Sequence, residues 1–186
     1  MAKKMYLEDR RPVFLVVLEH MVQIALVSAV GLFIARYLFF SCSTESKSME
    51  PTIVPDSVVF TDRLAYIFND PERFDVVSFR RAGEEDGNVL IRRIVALPGE
   101  TVLISRGVVY INGEVLDVSA YISEITSDGI AGEEFRLGED EYFVLGDTPA
   151  NSEDSRSSTI GNVRRSLIIG KAFLSSTTIT DFSRVR

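Results

Sequence analysis

The sequence predicts a mostly β protein in which a single N-terminal transmembrane helix precedes a β-rich domain. Two features of the 186-residue chain lead to this prediction. An apolar run near the N-terminus is long enough to cross a bilayer, and the residues after it fall into short segments rich in β-branched and aromatic side chains. An Asn-Gly pair between two of these segments adds a strong hairpin signal.

The apolar run extends from Met21 to Phe40 and reads MVQIALVSAVGLFIARYLFF. At about 1.5 Å per residue, a helix of this length covers the roughly 30 Å hydrocarbon core of a membrane. Gln23 and Ser28 are polar interruptions, and the long stem of Arg36 can carry its guanidinium to the membrane surface. The run therefore predicts one membrane-spanning helix.

Charges that flank the run predict its orientation. Four basic residues precede it, namely Lys3, Lys4, Arg10 and Arg11. Because positive flanks stay in the cytoplasm, we expect residues 1–20 to be cytoplasmic, residues 21–40 to span the membrane and residues 41–186 to be extracytoplasmic. The predicted location is the cell membrane, with a single pass and with membrane lipid around the helix.

Three alternatives also explain an N-terminal apolar run. A cleaved signal peptide has a shorter apolar region and small residues at the cut, whereas Phe39, Phe40, Ser41 and Cys42 stand here. A lipid anchor on Cys42 would need small or aliphatic residues just before the cysteine. A buried helix of a soluble protein normally keeps a polar face, which this run lacks. The pattern favours a retained anchor over all three.

Beyond the anchor, apolar and polar side chains alternate as they do in strands. The segments predicted as strands are Ser57–Phe60, Asp75–Phe79, Val89–Leu97, Thr101–Ile104, Val108–Ile111, Glu114–Leu116, Glu141–Leu145 and Ser166–Phe173. Asn112-Gly113 predicts a tight hairpin because both residues tolerate positive φ, and Arg106-Gly107 predicts another just before it. The polar stretch from Ser119 to Gly138 predicts a long loop.

Composition argues against several functional classes. The formal net charge of -7, from 20 Lys and Arg against 27 Asp and Glu, argues against a nucleic-acid partner, since phosphate binding needs a basic surface. Cys42 is the only cysteine, so one chain can build neither a disulfide framework nor a cysteine-rich zinc site. No group of ligand residues has the spacing of a metal site, so we expect neither a metal nor another cofactor.

The segment STESKSMEPTIVPDSVVF, from Ser43 to Phe60, brings two hydroxyls close together. If it is extended, Ser46 and Ser48 share one face while Lys47 points away. A serine nucleophile needs a base for its proton and donors for the oxyanion, and a neighbouring hydroxyl with a backbone N–H can supply the donors. A polar loop after a helix is the plainer interpretation of the same residues.

Four segments of the chain, taken together, resemble the motifs of the type I signal peptidases. They are SKSMEPTI, RFDVVSF, IRRIVALPGE and GDTPANSEDSR, in the order and spacing of that family. The resemblance covers about Met21 to Phe173. It implies a largely β extracytoplasmic domain, anchored by one or two helices, that removes signal peptides from exported proteins with a Ser/Lys dyad.

The resemblance also implies roles for individual residues. Ser48 matches the nucleophile, Ser46 the hydroxyl that assists the oxyanion, and Ser152 the serine that orients the dyad lysine. The other matching motif residues are Met49, Pro51, Gly146, Asp147, Asp154 and Arg156, the last two as a charged pair that braces its loop. Without the resemblance, that pair would be an ordinary surface pair and Ser152 a loop hydroxyl.

The chain departs from the family at three positions. Phe74 stands where glycine is usual, and Thr148 where asparagine is usual. Arg92, next to the family's usual arginine at Arg93, occupies the position of the general-base lysine. A buried lysine can lose its proton near neutral pH, whereas a guanidinium has a pKa above about 12 and no acceptor atom. Arg92 therefore cannot take the proton of Ser48.

Other candidate bases are few. His20 is the only histidine and precedes the predicted span, so no Ser/His/Asp triad is expected outside the membrane. Lys47 and Lys171 are the only lysines beyond the anchor, and Lys47 faces away from Ser48 in an extended segment. Asp147 and Asp154 offer an acid/base pair, although an arginine two residues further on competes for the second carboxylate.

Two functions are therefore predicted. The first is a signal peptidase I-type serine endopeptidase that cleaves signal peptides of exported precursors after small residues, with turnover in doubt because of Arg92. The second is a non-catalytic relative that binds the same precursors as an accessory to secretion or surface-fibre assembly. In either case we expect an extended peptide beside the strand that follows the serine segment, with small residues one and three positions before the cut.

Overall fold

The computed structural model describes residues 12–37, 39–44, 46–83, 89–178 and 180–185. A helix and a β domain that starts at Phe39 form two separate compact units. Helix α1 (Val13–Tyr37) is 25 residues long, and its part from Val13 to Phe33 is long and apolar enough to cross a membrane. The basic flank of Lys3, Lys4, Arg10 and Arg11 lies outside the described residues.

The helix differs from the predicted Met21–Phe40 span at both ends. It begins directly after Pro12, whose fixed φ and missing N–H suit the start of a helix, and the apolar pattern runs on from there. Glu19 and His20 therefore lie inside the helix, where His20 Nδ1 donates to the Val16 carbonyl at 2.7 Å. At the other end, Phe39 and Phe40 belong to a strand, because a neighbouring strand binds their backbone groups.

The β domain contains twelve strands within the described residues. They are β1 (Phe39–Thr44), β2 (Ser57–Asp62), β3 (Val76–Arg80), β4 (Val89–Ala96), β5 (Thr101–Ser105), β6 (Val108–Ile111), β7 (Glu114–Leu116), β8 (Phe135–Arg136), β9 (Glu141–Leu145), β10 (Val163–Arg164), β11 (Ile168–Thr178) and β12 (Asp181–Arg184). The mostly β fold class is therefore confirmed, and all eight predicted strands are present.

The strands form two antiparallel sheets. In the described residues the larger sheet has eight strands in the order β1-β2-β11-β3-β4-β9-β10, with β12 paired to β11. The smaller sheet has the order β7-β6-β5-β8. Strand β4 continues through Pro98 and Gly99 into β5 of the smaller sheet. Its position between β3 and β9 fixes the two arginines that the sequence singled out.

Both predicted hairpins are confirmed by backbone geometry. Asn112 and Gly113 have φ of 53° and 80°, and the register pairs Ile111 with Glu114 around them. Arg106 and Gly107 have φ of 52° and 78° and close the hairpin before it. The predicted loop from Ser119 to Gly138 is mostly irregular and holds a single 3-10 turn and the short strand β8.

A cluster of buried apolar side chains includes residues of strands β2, β3, β4 and β11. Its members are Met49, Ile53, Val59, Val76, Ile91, Ala172 and Val185, with Cys42 packed against them. Burial also raises the pKa of the Cys42 thiol to about 11, so this thiol stays protonated at neutral pH. Met49 follows Ser48 in the chain, so this cluster begins directly after the predicted nucleophile.

Candidate active site

Strand β4 delivers Arg92 and Arg93 to the centre of the β domain. Successive residues of a strand point to opposite faces, so the two arginines enter different environments. Arg92 reaches the turn that carries Ser48, and Arg93 reaches the loop that carries Asp147. Both are buried, with 4% and 0% of their surface exposed. The pair therefore links the two sequence motifs that flank the site.

The serine segment is a turn, so the condition of an extended segment, under which Ser46 and Ser48 were expected to share a face, is not met. Lys47–Met49 forms a 3-10 turn capped by Ser46, whose Oγ accepts the Ser48 backbone N–H at 3.2 Å. The side-chain cap satisfies an amide that would otherwise lack a partner at the start of the turn. Ser46 and Ser48 are still brought together, while Lys47 is exposed.

Arg92 contacts Ser48 directly. Arg92 Nη1 donates to Ser48 Oγ at 2.8 Å and to the Ile91 carbonyl at 2.6 Å. Its Nε and Nη2 both donate to the Glu153 carbonyl, at 3.0 and 2.7 Å. A guanidinium can only donate, so the hydrogen bond to Ser48 leaves the serine as acceptor. A serine that must lose its proton needs the opposite direction.

The charge of Arg92 is buried with little compensation. Burial lowers the pKa of the Arg92 guanidinium below its ordinary value, and the carboxylates of Asp154 and Glu153 oppose this shift. Within the described part of the chain, no carboxylate lies within ion-pairing distance of Arg92, and all its hydrogen-bond acceptors are neutral oxygens. A guanidinium nevertheless stays protonated near neutral pH. The site next to Ser48 therefore has a fixed positive charge.

Ser152 lies beside Ser48 with a hydroxyl that has no hydrogen-bond partner in the described residues. Its neighbourhood is very tight, since a Cβ added at Gly146 would meet Ser152 Oγ at 2.3 Å and the Ser48 carbonyl at 2.7 Å. Glycine at position 146 therefore allows the two serines to approach each other. Arg92 donates to the Glu153 carbonyl and makes no hydrogen bond to the Ser152 hydroxyl.

Thr148 ties the Ser152 loop to the serine turn. Its backbone N–H donates to the Ser48 carbonyl at 2.9 Å, and its Oγ1 donates to the Glu50 carbonyl at 2.8 Å. The threonine hydroxyl therefore makes a stabilising contact at the position where the resembling family usually has asparagine. Pro51, which follows in the same motif, is exposed.

Arg93 and Asp147 form a fully buried ion pair. Arg93 Nε donates to Asp147 Oδ1 at 2.9 Å and Nη2 to Oδ2 at 2.6 Å, a two-point geometry. Thr52 Oγ1 donates to the same carboxylate, and the Tyr121 ring lies 4.3 Å from the guanidinium carbon. The pair joins β4, the serine motif and the loop after β9 around one buried charge centre.

Phe74 has a left-handed backbone, with φ of 70°. A side chain at such a φ costs about 1–2 kcal/mol, which explains why glycine suits the position. The carbonyl of Phe74 accepts Arg93 Nη1 at 2.9 Å, and its ring lies 5.1 Å from that of Tyr121. Contacts made by the ring and the carbonyl offset part of the backbone strain.

Asp154 is held by Arg156, which excludes the alternative acid/base pair. Arg156 Nε and Nη2 donate to the two Asp154 oxygens at 2.9 and 3.0 Å, and the Gly146 N–H donates to Asp154 Oδ2 at 3.1 Å. Arg156 Nη2 also donates to the Pro149 carbonyl at 2.7 Å. The charged pair therefore fixes the loop that carries Ser152, and each carboxylate of the alternative pair has its own arginine.

The two lysines of the β domain, Lys47 and Lys171, do not contact Ser48. Lys47 is exposed in the serine turn. Lys171 Nζ lies 2.5 Å from Asp75 Oδ1, and the Tyr66 hydroxyl donates to the other oxygen of that carboxylate at 2.8 Å. Lys171 is therefore engaged in a separate network, and neither lysine is placed to accept a proton from Ser48 in this arrangement.

Some contacts of the site had no signal in the sequence. The Glu153 carbonyl, which binds Arg92 twice, is a backbone atom whose position depends on the fold. Thr52 lies inside the serine motif, although its contact with the distant Asp147 could only be found from the structure. Tyr121 comes from the predicted loop and gives the ring that covers Arg93.

Comparisons with known proteins show the family to which this chain is similar. A family model described as signal peptidase, peptidase S26 matches residues 17–177. A probable signal peptidase I-2 of Synechocystis is 33% identical over 81% of this chain and 67% of its own length. Signal peptidase I of Leptolyngbya laminosa is 35% identical over 74% of this chain and 66% of its own. The chain thus spans about two thirds of the length of these relatives.

A solved structure is also similar to part of this chain. It is a signal peptidase I from Enterococcus faecalis, with a TM-score of 0.42 and 29% identity over 55% of this chain and 97% of the solved one. The family model covers most of the present chain, including all four motifs. The chain therefore belongs to the signal peptidase family, peptidase S26.

Proposed function

We propose that this protein is a membrane-anchored serine endopeptidase of the signal peptidase I type, with Ser48 as nucleophile and with turnover limited by Arg92. Its substrates are the signal peptides of exported precursors, which fits the names of its relatives. The observation that carries the proposal is the 2.8 Å contact between Arg92 Nη1 and Ser48 Oγ. Arg92, which occupies the position of the family's general base, is therefore in contact with the proposed nucleophile Ser48.

The groups around Ser48 fit the acylation step of a serine peptidase. Attack by Ser48 Oγ on a peptide carbonyl creates an oxyanion, which needs hydrogen-bond donors close to the nucleophile. The Ser48 backbone N–H donates to Ser46 Oγ, with 3.2 Å between nitrogen and oxygen. We propose that both turn toward the oxyanion when a substrate binds.

Proton transfer is the step that this chain performs poorly. The Ser48 proton has to pass to an acceptor, and Arg92 offers only donors. Loss of a general base typically lowers a rate by about 10² to 10⁴. We therefore propose that the unaltered chain cleaves slowly, with solvent water as the acceptor.

The same contact supports a second candidate function. Arg92 holds Ser48 in an accepting hydrogen bond, which suits a protein that binds precursors without cleaving them. Such a protein would serve secretion or surface-fibre assembly as an accessory. The two candidates differ in one measurable property, because only the peptidase gains cleavage when position 92 carries a lysine.

The substrate is proposed to bind along β4. The sequence predicted a peptide beside the strand after the serine segment, which is β2. This strand is paired with β1 on one side and with β11 on the other, so neither of its edges is available to a peptide. Strand β9 pairs with β4 only from Arg93 onward, and among the described strands none covers this side of Val89–Arg92. A peptide added along this edge would end its path at Ser48.

We expect cleavage and binding to depend on small residues before the cut. An extended peptide on the β4 edge presents alternate side chains to the same face, and we propose that these meet the buried cluster of Met49, Ile53 and Ile91, which would exclude a large side chain. Changing alanine to leucine one and three positions before the cut should therefore weaken binding of a signal-peptide mimic at least about tenfold. The measurement is a titration of the detergent-solubilised chain, with the same changes two and four positions before the cut as the control. Equal effects at all four positions would contradict the assignment of this edge.

Membrane topology gives a separate prediction. If the helix spans the cell membrane with the β domain outside, protease added to intact cells should remove the region from Ser43 onward and spare an epitope tag at the N-terminus. Permeabilised cells are the control, since both parts should be cut there. A β domain protected in intact cells would reverse the proposed orientation.

A further inference from the structure

The Ser48 site combines a buried cation with hydroxyl groups that have hydrogens to donate. Arg92 is 4% exposed, and among the described residues its partners are the neutral oxygens of Ser48, Ile91 and Glu153. A buried charge without a paired counter-ion is costly because it has lost its water. Such a site favours an anion over a neutral ligand.

Three hydroxyls lie at or near Ser48, and one of them contacts this charge. Ser48 Oγ accepts from Arg92, and Ser46 Oγ accepts from the Ser48 N–H, so neither hydroxyl hydrogen takes part in these bonds. Ser152 Oγ has no partner in the described part of the chain. A hydroxyl that accepts from a cation becomes a stronger donor itself, since hydrogen bonds in a chain polarise one another. The donors therefore point to a ligand that accepts several hydrogen bonds.

We propose that the Ser48–Arg92 site binds the C-terminal carboxylate of a peptide that lies along the β4 edge. The inference rests on the proposed function, which places a peptide along the β4 edge. It concerns the end of the peptide that stays bound next to Ser48. A carboxylate ending there would accept from the Ser48 and Ser46 hydroxyls and would neutralise the Arg92 charge. The exposed Ser46 forms the solvent-facing edge through which the carboxylate enters.

Arginine makes the difference between this chain and one with a lysine dyad. A neutral lysine amine beside the serine offers no charge to a carboxylate, whereas a guanidinium keeps its charge at every physiological pH. The site therefore prefers the product of signal-peptide cleavage, which ends in a carboxylate, over the uncut precursor, which has a neutral amide there. In this arrangement the protein acts as a receptor for peptides that end in a small residue.

The test compares two synthetic peptides that share one signal-peptide sequence ending in Ala-Gln-Ala. One carries a free C-terminal carboxylate and the other a C-terminal amide. Both are titrated into the full chain in detergent micelles at pH 7 and at pH 9. We expect the carboxylate form to bind at least about tenfold tighter, which corresponds to about 1.4 kcal/mol. The preference should be the same at both pH values, because neither the guanidinium nor the carboxylate titrates between them.

Variants at position 92 identify the source of the preference. Arg92→Met keeps a long side chain without charge and should bind both peptides equally, with far-UV circular dichroism to verify its fold. Arg92→Lys should show a preference that falls between pH 7 and pH 9 as the buried amine loses its proton. Arg80→Met, at an exposed residue of the adjacent strand β3, is the control and should keep the full preference.

Three results would overturn the inference. They are equal affinities for the two peptides in the unaltered chain, a preference that survives in Arg92→Met, and a preference of the unaltered chain that disappears at pH 9. These results are distinct from a failure of the proposed function, because that function is tested by cleavage in the Arg92→Lys chain. A lysine variant that cleaves while the unaltered chain binds both peptides equally would contradict the receptor inference alone.

Discussion

Replacing Arg92 by lysine is expected to raise the rate of signal-peptide cleavage at least about tenfold, and by up to about 10⁴ if proton transfer limits the unaltered chain. Lysine can lose its proton when it is buried, and Arg92 is 4% exposed at this position. An amine at the same place could accept the Ser48 proton, which a guanidinium cannot do. The assay uses the full chain in detergent and a peptide with alanine before the cut.

The surroundings of position 92 strengthen this expectation. Ser152 Oγ is buried and unpartnered in the described residues, and it lies against Gly146 beside the Ser48 backbone. A lysine amine, which is smaller than the guanidinium, can place a hydrogen bond on this hydroxyl and be oriented by it. We therefore expect Ser152→Ala to reduce the gain made by Arg92→Lys and to have little effect on the unaltered chain.

Controls separate a restored dyad from other causes. Ser48→Ala in the lysine background should abolish the gain, since the nucleophile is lost. Arg80→Lys makes the same exchange at an exposed residue and should leave the rate unchanged. If the unaltered chain already cleaves at a rate that Arg92→Lys does not change, and Lys171→Ala removes it, Lys171 is the base and the role given to position 92 is wrong.

Removing the carboxylate of Asp147 is expected to lower the free energy of unfolding by about 3–5 kcal/mol. Asp147→Ala leaves the Arg93 guanidinium, which is fully buried, without the two-point contact that neutralises it. A typical domain is stable by only about 5–15 kcal/mol, so this loss threatens the fold itself. Urea denaturation of the full chain in detergent, followed by near-UV circular dichroism, measures the change.

A second pair in the chain provides the matched control. Arg81 and Glu153 also form an ion pair, at 2.7 Å, but their side chains are 29% and 47% exposed. Glu153→Gln should cost less than about 1 kcal/mol, because water screens exposed pairs. The double variant Arg93→Met and Asp147→Leu should recover much of the lost stability, since it removes both buried charges. Equal losses for Asp147→Ala and Glu153→Gln would contradict the importance of burial.

Local patterns were sufficient for most of the secondary structure. Alternation of apolar residues predicted β6, β7 and β9 with their observed limits, and the two Gly-containing turns predicted the hairpins around them. The predicted end of the helix at Phe40 was wrong, because Phe39 and Phe40 are as apolar as residues of a membrane span. Their assignment to β1 depends on pairing with β2, a partner distant in sequence.

The sequence by itself determined the long apolar N-terminal helix, the β-rich class and the lack of a proton acceptor on the Arg92 side chain, because these depend on residue identity and short-range pattern. An arginine lacks an acceptor in any fold, so the prediction that Arg92 cannot take the Ser48 proton needed no structure. Only the tertiary structure decided that Arg92 donates to Ser48, that the Glu153 carbonyl binds the guanidinium and that the Ser152 hydroxyl has no partner among the described residues. These contacts join residues far apart in the chain and involve backbone atoms. Sheet register and loop packing determine these contacts, and neither can be predicted from a local sequence pattern.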